Sequence, residues 1–221
     1  EVRLTPSTRQ FFLTLAKTSE PPMSDHFRNL VGGDPALVRQ ADREISKDPL
    51  LHAIMRNTIA PVLMNAGFRG NVIPGSAEAT INLRTIPGTT AAEIVDEFRR
   101  VIGDPRVELR VSVGAGGAGG AGGTEAPPLA STEDTELFRG LAKNARWQFP
   151  GAELTTYLFQ AGTDARAWRS RGVPVYGIYP YPIDAEDLTR MHGNDERVSV
   201  ESLRQGTEMI FKTLVDVAAK R

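Results

Sequence analysis

Apolar positions recur along the chain at two different spacings, and the change from one to the other divides it. The N-terminal part has helical spacing. Thr5-Pro6 ahead of Phe11, Phe12, Leu15 and Ala16 is a capped helix start with one apolar face, stopped by Pro21-Pro22. A short second helix is expected to end at Gly32-Gly33. Asp34-Pro35 and Asp48-Pro49 repeat the cap-then-proline signature. They predict helices with Val38, Ala41 and Ile45 inward in the first and Leu51, Ile54 and Met55 inward in the next.

From Thr58 the period becomes two. Residues 58–64 read as a strand and Asn65-Ala66-Gly67 as a turn. Ala77, Ala79, Ile81 and Leu83 then alternate with Glu78, Thr80, Asn82 and Arg84, which predicts a half-buried strand with Arg84 pointing away from the core. Pro87-Gly88 turns the chain. Thr90 and Glu93 form a capping box for a helix with Ile94, Val95, Phe98 and Ile102 on its inner face, ended by Gly103 and Pro105. Val107, Leu109, Val111 and Val113 alternate again, completing a β-β-α-β run that suits an open α+β sandwich with an antiparallel sheet.

A glycine-rich stretch, 114–123, follows and formally contains G-x-G-x-x-G. A dinucleotide loop opens straight into an apolar helix, whereas this one opens into Glu125 and Pro127-Pro128, so a flexible linker and a domain boundary are expected. Beyond it, Ser131 or Thr132 is expected to cap a helix bearing Leu137, Phe138 and Leu141. Residues 154–159 read as a strand, Gly162-Thr163-Asp164 as the start of a short helix with Ala165 and Trp168, and 174–179 as a second strand. That β-α-β unit favours a parallel sheet. Ser199 caps a last helix whose Leu203, Thr207, Ile210, Leu214, Val217 and Ala218 are expected to pack on the sheet, giving an α/β fold class for the whole.

Composition narrows the partners. With 221 residues, 40% apolar and 24% charged, the chain has the balance of an ordinary globular protein of one large or two modest domains. A net charge of −1 gives no broad basic field, so neither nucleic acid nor an anionic membrane is an expected partner, and a small molecule is. The absence of cysteine excludes disulfides and thiolate metal sites, leaving His, Asp and Glu to hold any metal, and leans the expected location to the cytoplasm. No apolar run approaches the ~20 residues that span a bilayer. The chain opens at Glu1, without a methionine and close to a helix, as a segment of something longer would.

Three places carry candidate chemistry. His26 and His52 read as surface or hydrogen-bonded helix residues, since neither has an acidic or histidine partner at i+4. His192, followed by glycine and then by Asn194, Asp195 and Glu196, is placed on a loop after a strand. It is either a metal ligand, a general base or a surface histidine. Gly162-Thr163-Asp164 lies at the carboxyl end of a strand with a helix N-terminus behind it, which suits an anion; Gly162 admits close approach, and Asp164 is either an N-cap or part of the site. There is no G-x-S-x-G elbow, Walker loop, H-E-x-x-H helix or EF-hand loop.

Four blocks, taken in order, go further. Asn71-Val72-Ile73-Pro74 with Ala79-Thr80-Ile81-Asn82-Leu83-Arg84, then Gly162-Thr163-Asp164-Ala165-Arg166, Gly172-Val173-Pro174 and His192-Gly193-Asn194-Asp195-Glu196-Arg197 resemble the co-catalytic zinc peptidases related to aminoacylase, Gly-X carboxypeptidase, glutamate carboxypeptidase and succinyl-diaminopimelate desuccinylase. The resemblance covers nearly the whole chain but only the second half of such an enzyme. It implies a two-zinc catalytic domain interrupted by an inserted α+β lid that commonly dimerises. Residues 1–113 would be the lid or dimerisation domain lacking its N-terminal edge, 114–128 a Gly/Pro-rich linker, and 129–221 the C-terminal part of the α/β catalytic domain.

The same resemblance implies site roles. His192 corresponds to the C-terminal histidine that ligates one zinc. Asn71 and Arg84 correspond to lid residues that hold the substrate carboxylate, and Gly162 and Thr163 to the loop that contacts the same end of the substrate. The other ligands, the general-base glutamate and the lid histidine that reaches across the dimer would lie upstream of Glu1. No catalytic residue is therefore expected in this chain, and at most one zinc ligand where a site needs at least about three. The implied parent is a homodimeric zinc metallopeptidase or amidohydrolase that hydrolyses a peptide or N-acyl amide bond next to a free carboxylate in a small peptide or N-acyl amino acid. The alternative is a non-catalytic dimerisation and ligand-docking fragment, or an inactive paralogue.

Overall fold

The computed structural model describes residues 1–111, 130–159 and 163–219. The chain divides into two units, Glu1–Pro127 with Thr155–Thr163, and Pro128–Leu154 with Asp164–Arg221. The expected linker, 114–128, lies outside the described residues, as do Val113 and Gly162.

The first unit opens with four helices, α1 (Pro6–Thr18), α2 (Met23–Gly32), α3 (Pro35–Ile45) and α4 (Pro49–Ala53). The starts of α1, α3 and α4 follow the cap-then-proline pattern, whereas α2 begins after Pro22 without a side-chain cap. Thr5 Oγ1 accepts from Thr8 N at 3.1 Å, Asp34 Oδ1 from Ala36 N at 2.8 Å, and Asp48 Oδ1 from Leu50 N at 2.8 Å. Gly33, at φ 90, ends α2 in the left-handed conformation that glycine adopts without cost. The inward faces build one core of Phe12, Ala16, Phe27, Leu30, Ala41, Ile45, Ile54 and Met55. The rings of Phe12 and Phe27 stack at 5.7 Å, and Leu158 packs against the cluster from the 155–163 segment.

Strands β1 (Thr58–Ala66) and β2 (Ala77–Arg84) pair antiparallel, with Thr58 opposite Arg84 and Ala66 opposite Ala77. The ladder is irregular between Pro61 and Leu63, as expected where a proline lacks the N–H to pair. Helix α5 (Ala91–Ile102) begins with the expected box: Glu93 N donates to Thr90 Oγ1 at 3.2 Å and Thr90 N to Glu93 Oε2 at 3.0 Å.

The sandwich expected here is not complete among the described residues. The sheet has two strands, and residues 107–111 pair with neither. Arg110 bonds Glu108 two positions away at 2.9 Å, so that run is extended but lacks a ladder neighbour, and alternation alone does not make a strand. Nor is β2 half-buried throughout. Ile81 is half-buried, but Ala77, Ala79 and Leu83 are exposed, because no second layer covers their face among the described residues. On α5, Ile94, Val95 and Phe98 are half-buried and Ile102 is exposed.

The second unit contains α6 (Glu136–Gln148), α7 (Ala165–Arg169), α8 (Ala185–Thr189) and α9 (Val200–Ala218). The cap of α6 is Thr135, whose Oγ1 accepts from Phe138 N at 3.0 Å, rather than Ser131 or Thr132. Ser131 is engaged elsewhere: its hydroxyl donates to Val175 O at 3.0 Å and accepts from Val175 N at 2.9 Å. Arg169 Nη2 reaches the same carbonyl at 2.7 Å. Side chains thus satisfy the backbone of Val175, where a β-α-β reading required strand neighbours. Neither 154–159 nor 174–179 forms a strand, and the expected parallel sheet is not found among the described residues.

Helix α9 is rotated from the predicted face. Gly206, Met209 and Thr213 are buried, whereas Leu203, Thr207 and Leu214 are exposed. Close approach decides this. A β-carbon on Gly206 would stand 2.6 Å from Pro180 O, and one on Gly140 of α6 would stand 3.0 Å from Val217 Cγ2. Gly206 and Thr213 mark the packed side with Met209, while Ile210 and Val217 of the predicted face are half-buried at its edge.

Candidate functional site

His192 lies on the turn between α8 and α9, and everything around it constrains the backbone. Asp184 caps α8, accepting from Asp187 N at 2.7 Å. The chain then leaves the helix through Arg190 N to Asp187 O at 3.1 Å and Met191 N to Leu188 O at 3.3 Å. His192 follows at φ 63, the one non-glycine residue with positive φ among those described. That conformation costs an L-residue about 1–2 kcal/mol, and histidine is among the types that tolerate it best.

Two contacts hold the turn. His192 N donates to Glu196 Oε2 at 3.1 Å, and Gly193 N donates to Arg190 O at 2.8 Å. The glycine is required by space: a β-carbon at Gly193 would lie 2.9 Å from Arg190 O and 3.6 Å from Arg190 C. The His-Gly dipeptide is therefore a backbone device that fixes where the exposed imidazole begins. Beside it, Tyr179 Oη donates to Met191 Sδ at 3.7 Å, and burial, with Tyr181 and Glu196 nearby, holds the Tyr179 phenol above its usual range.

Sequence patterning missed Arg190. Its guanidinium bonds Glu186 and Asp195 directly, and its Nε lies 3.5 Å from Asp187 Oδ1. Arg197 meets the same carboxylates, Asp195 at 3.1 Å and Asp187 at 3.3 Å. The legible signal was Glu186 and Asp187 standing four and three residues ahead of Arg190, on one helical face.

The remaining expected residues belong to the first unit. Arg84 ends β2 opposite Thr58, exposed on the sheet as the alternation predicts. Asn71 lies in the connection 67–76 at the opposite end of the ladder, beyond Ala77, which is seven residues or roughly 24 Å of strand from Arg84. The hairpin ladder does not by itself bring Asn71 and Arg84 together. That connection is closed by Gly67, at φ 72, packed against Pro74. Thr163 is exposed, and Gly162 lies outside the described residues.

No three His, Asp or Glu side chains among the described residues converge as a cation site would need. His192 stands as a single potential ligand, so these residues do not fit a complete zinc centre. No helix among the described residues is long and apolar enough to cross a membrane.

Comparison with known proteins places the chain. The peptidase dimerisation domain of the M20 type matches residues 14–109. A probable carboxypeptidase S-like 2 of Dictyostelium discoideum is 31% identical over 205 residues, 92% of this chain and 37% of the relative. The human N-fatty-acyl-amino acid synthase/hydrolase PM20D1 is 29% identical over 189 residues, covering 84% of this chain and 36% of its own length. Carboxypeptidase S of Saccharomyces cerevisiae is 23% identical over 230 residues, 93% of this chain and 40% of the relative. The chain thus spans about two fifths of the curated relatives it matches. No solved structure matches it. The match to the dimerisation domain and the relatives together identify the chain as a member of the M20 metallopeptidase family.

Proposed function

We propose that this chain is the lid and closing catalytic portion of a zinc-dependent hydrolase that cleaves a peptide or N-acyl amide bond next to a free carboxylate. The observation that carries the reading is His192 itself, held at φ 63 between the Glu196 carboxylate and Gly193. A costly backbone conformation over-determined by its neighbours is what a positioned functional group requires. In this reading His192 contributes one ligand, and residues outside the chain complete the centre and supply the base.

The relatives support the bond type. One is named a carboxypeptidase and another an N-fatty-acyl-amino acid synthase/hydrolase, and both names point to an amide beside a carboxylate. Arg84 would bind that carboxylate through its planar guanidinium, with Gly162 and Thr163 contacting the same end of the substrate, whereas Asn71, at the far end of the hairpin from Arg84, is left out of this clamp. Residues 1–113 would be the dimerising lid and 129–221 the catalytic part, joined by 114–128. The exposed apolar side of α9, with Leu203, Phe211 and Leu214, supports a further layer of the catalytic domain lying on it.

The test uses full-length protein, zinc analysis and N-acyl amino acids as substrates. His192→Ala should lose zinc and turnover together. Arg84→Ala should raise KM for an N-acyl amino acid and leave the corresponding primary amide, which lacks the carboxylate, unchanged. Normal zinc and normal turnover in His192→Ala would show the ligand assignment to be wrong.

A further inference from the structure

We infer that Arg190 is a positioning residue for His192, acting through the backbone of the turn rather than on any substrate. The inference rests on the reading of His192 as a site residue. Its own ground is the way the loop is closed. Residues 190–195 leave α8 and return, and the Arg190 guanidinium bonds Asp195 across the base of that excursion. The same guanidinium is anchored in α8, to Glu186 one turn back and beside Asp187 at 3.5 Å. Arg190 is therefore the clamp between helix and returning strand of chain, and His192 sits inside the loop it closes.

Arg190 also acts at its own backbone. Its carbonyl accepts from Gly193 N at 2.8 Å, so the residue that fastens the base also supplies the acceptor that tightens the turn after His192. Charge counts decide how much the clamp matters. Among the described residues, Arg190 pairs with Glu186, Asp187 and Asp195, Arg197 pairs with Asp187 and Asp195, and Glu196 accepts from His192 N. The Arg190 side chain is 23% exposed against 55% for Arg197, so Arg190 is the better shielded of the two from solvent. Without it Asp187 and Asp195 keep only the more exposed Arg197 between them and the link from Asp195 to Glu186 of α8 is lost, so Asp195 and Glu196 move away from α8. Glu196 is the group that holds His192 N–H, so the displacement passes directly to His192.

Arginine suits this role where lysine would not. One planar guanidinium with several fixed donors meets three carboxylates at once, which a single ammonium cannot match in geometry.

The test compares Arg190→Met, Arg190→Lys and Asp195→Asn in the full-length protein, with His192→Ala as the control for the site reading. Two readouts are taken: amide hydrogen exchange at His192 and Gly193, and the split between kcat and KM. In Arg190→Met, exchange at those two amides should rise well above that of α9. There kcat should fall about tenfold or more with KM little changed. Arg190→Lys should recover part of both, and Asp195→Asn, which keeps the shape of the side chain, should reproduce the Met variant in weaker form. Unchanged exchange at His192 and Gly193 in both Arg190→Met and Asp195→Asn overturns the inference, whatever the activity. If Arg190→Met does not fold, Asp195→Asn decides by the same readout. Full turnover in His192→Ala would instead sink the site reading, and the exchange data would still decide whether Arg190 holds the turn.

Discussion

A β-carbon on Gly193 would stand 2.9 Å from the carbonyl oxygen of Arg190, on the same atom that accepts the Gly193 N–H at 2.8 Å. The two residues are locked by backbone alone. Gly193→Ala must therefore open the turn, at a local cost of about 1–3 kcal/mol. The full-length variant should lose turnover to nearly the extent of His192→Ala, together with the fall in urea midpoint that this cost implies. Full activity in Gly193→Ala would mean that the turn can relax without moving His192.

Gly206 gives a stability test free of the site. Alanine is normally the better helix residue by about 1 kcal/mol. Here its β-carbon would stand 2.6 Å from Pro180 O, a backbone atom that cannot swing away. The clash should win, at about 1–3 kcal/mol, so Gly206→Ala lowers stability in urea unfolding where helix propensity alone predicts a gain.

The pairing of α6 with α9 should depend on pH through Asp216. Lys143, at 2.9 and 3.1 Å, and then Asn144 hold the Asp216 carboxyl below its usual range. A carboxyl with a depressed folded-state pKa stabilises above its unfolded value of about 3.9, and that stabilisation is lost as pH falls through the depressed value. The stability gap between the natural chain and Asp216→Asn should be constant above about pH 5 and close in stronger acid. Unfolding curves across that range measure it, and a gap that widens on acidification has the wrong sign.

Self-association is tested at the hairpin. Leu63, Met64, Phe68 and Ile73 are 61%, 79%, 82% and 93% exposed in a segment that matches the peptidase dimerisation domain. Large apolar side chains this exposed, in a dimerisation domain, make the hairpin the first place to look for the interface. On the proposed reading of a dimerising lid, Met64→Glu should shift full-length protein from dimer towards monomer in sedimentation, without loss of helical signal. A dimer of unchanged strength would move the interface elsewhere.

Much of the helical part of the fold was legible because its signals are local. Asp34-Pro35, Asp48-Pro49 and the Thr90/Glu93 box each satisfy N–H groups within three residues, so sequence neighbours are enough. The strands were less so. Residues 58–66 and 77–84 found each other across a connection, whereas 107–111, 154–159 and 174–179 carry strand-like patterns without ladder partners among the described residues. A strand is a relation between two segments, and alternation in one cannot state whether the other is present.

The sequence by itself determined the starts of α1, α3, α4, α5 and α9, the hairpin, the family blocks and the candidacy of His192. Only tertiary structure decided which face of α9 is buried, that Ser131 serves Val175 rather than capping α6, and that Arg190 closes the loop carrying His192. The physical reason is the same in each case. Caps and periodicity are set by atoms a few residues apart, but close approach at Gly206 and charge pairing at Arg190 depend on where the folded backbone brings distant atoms.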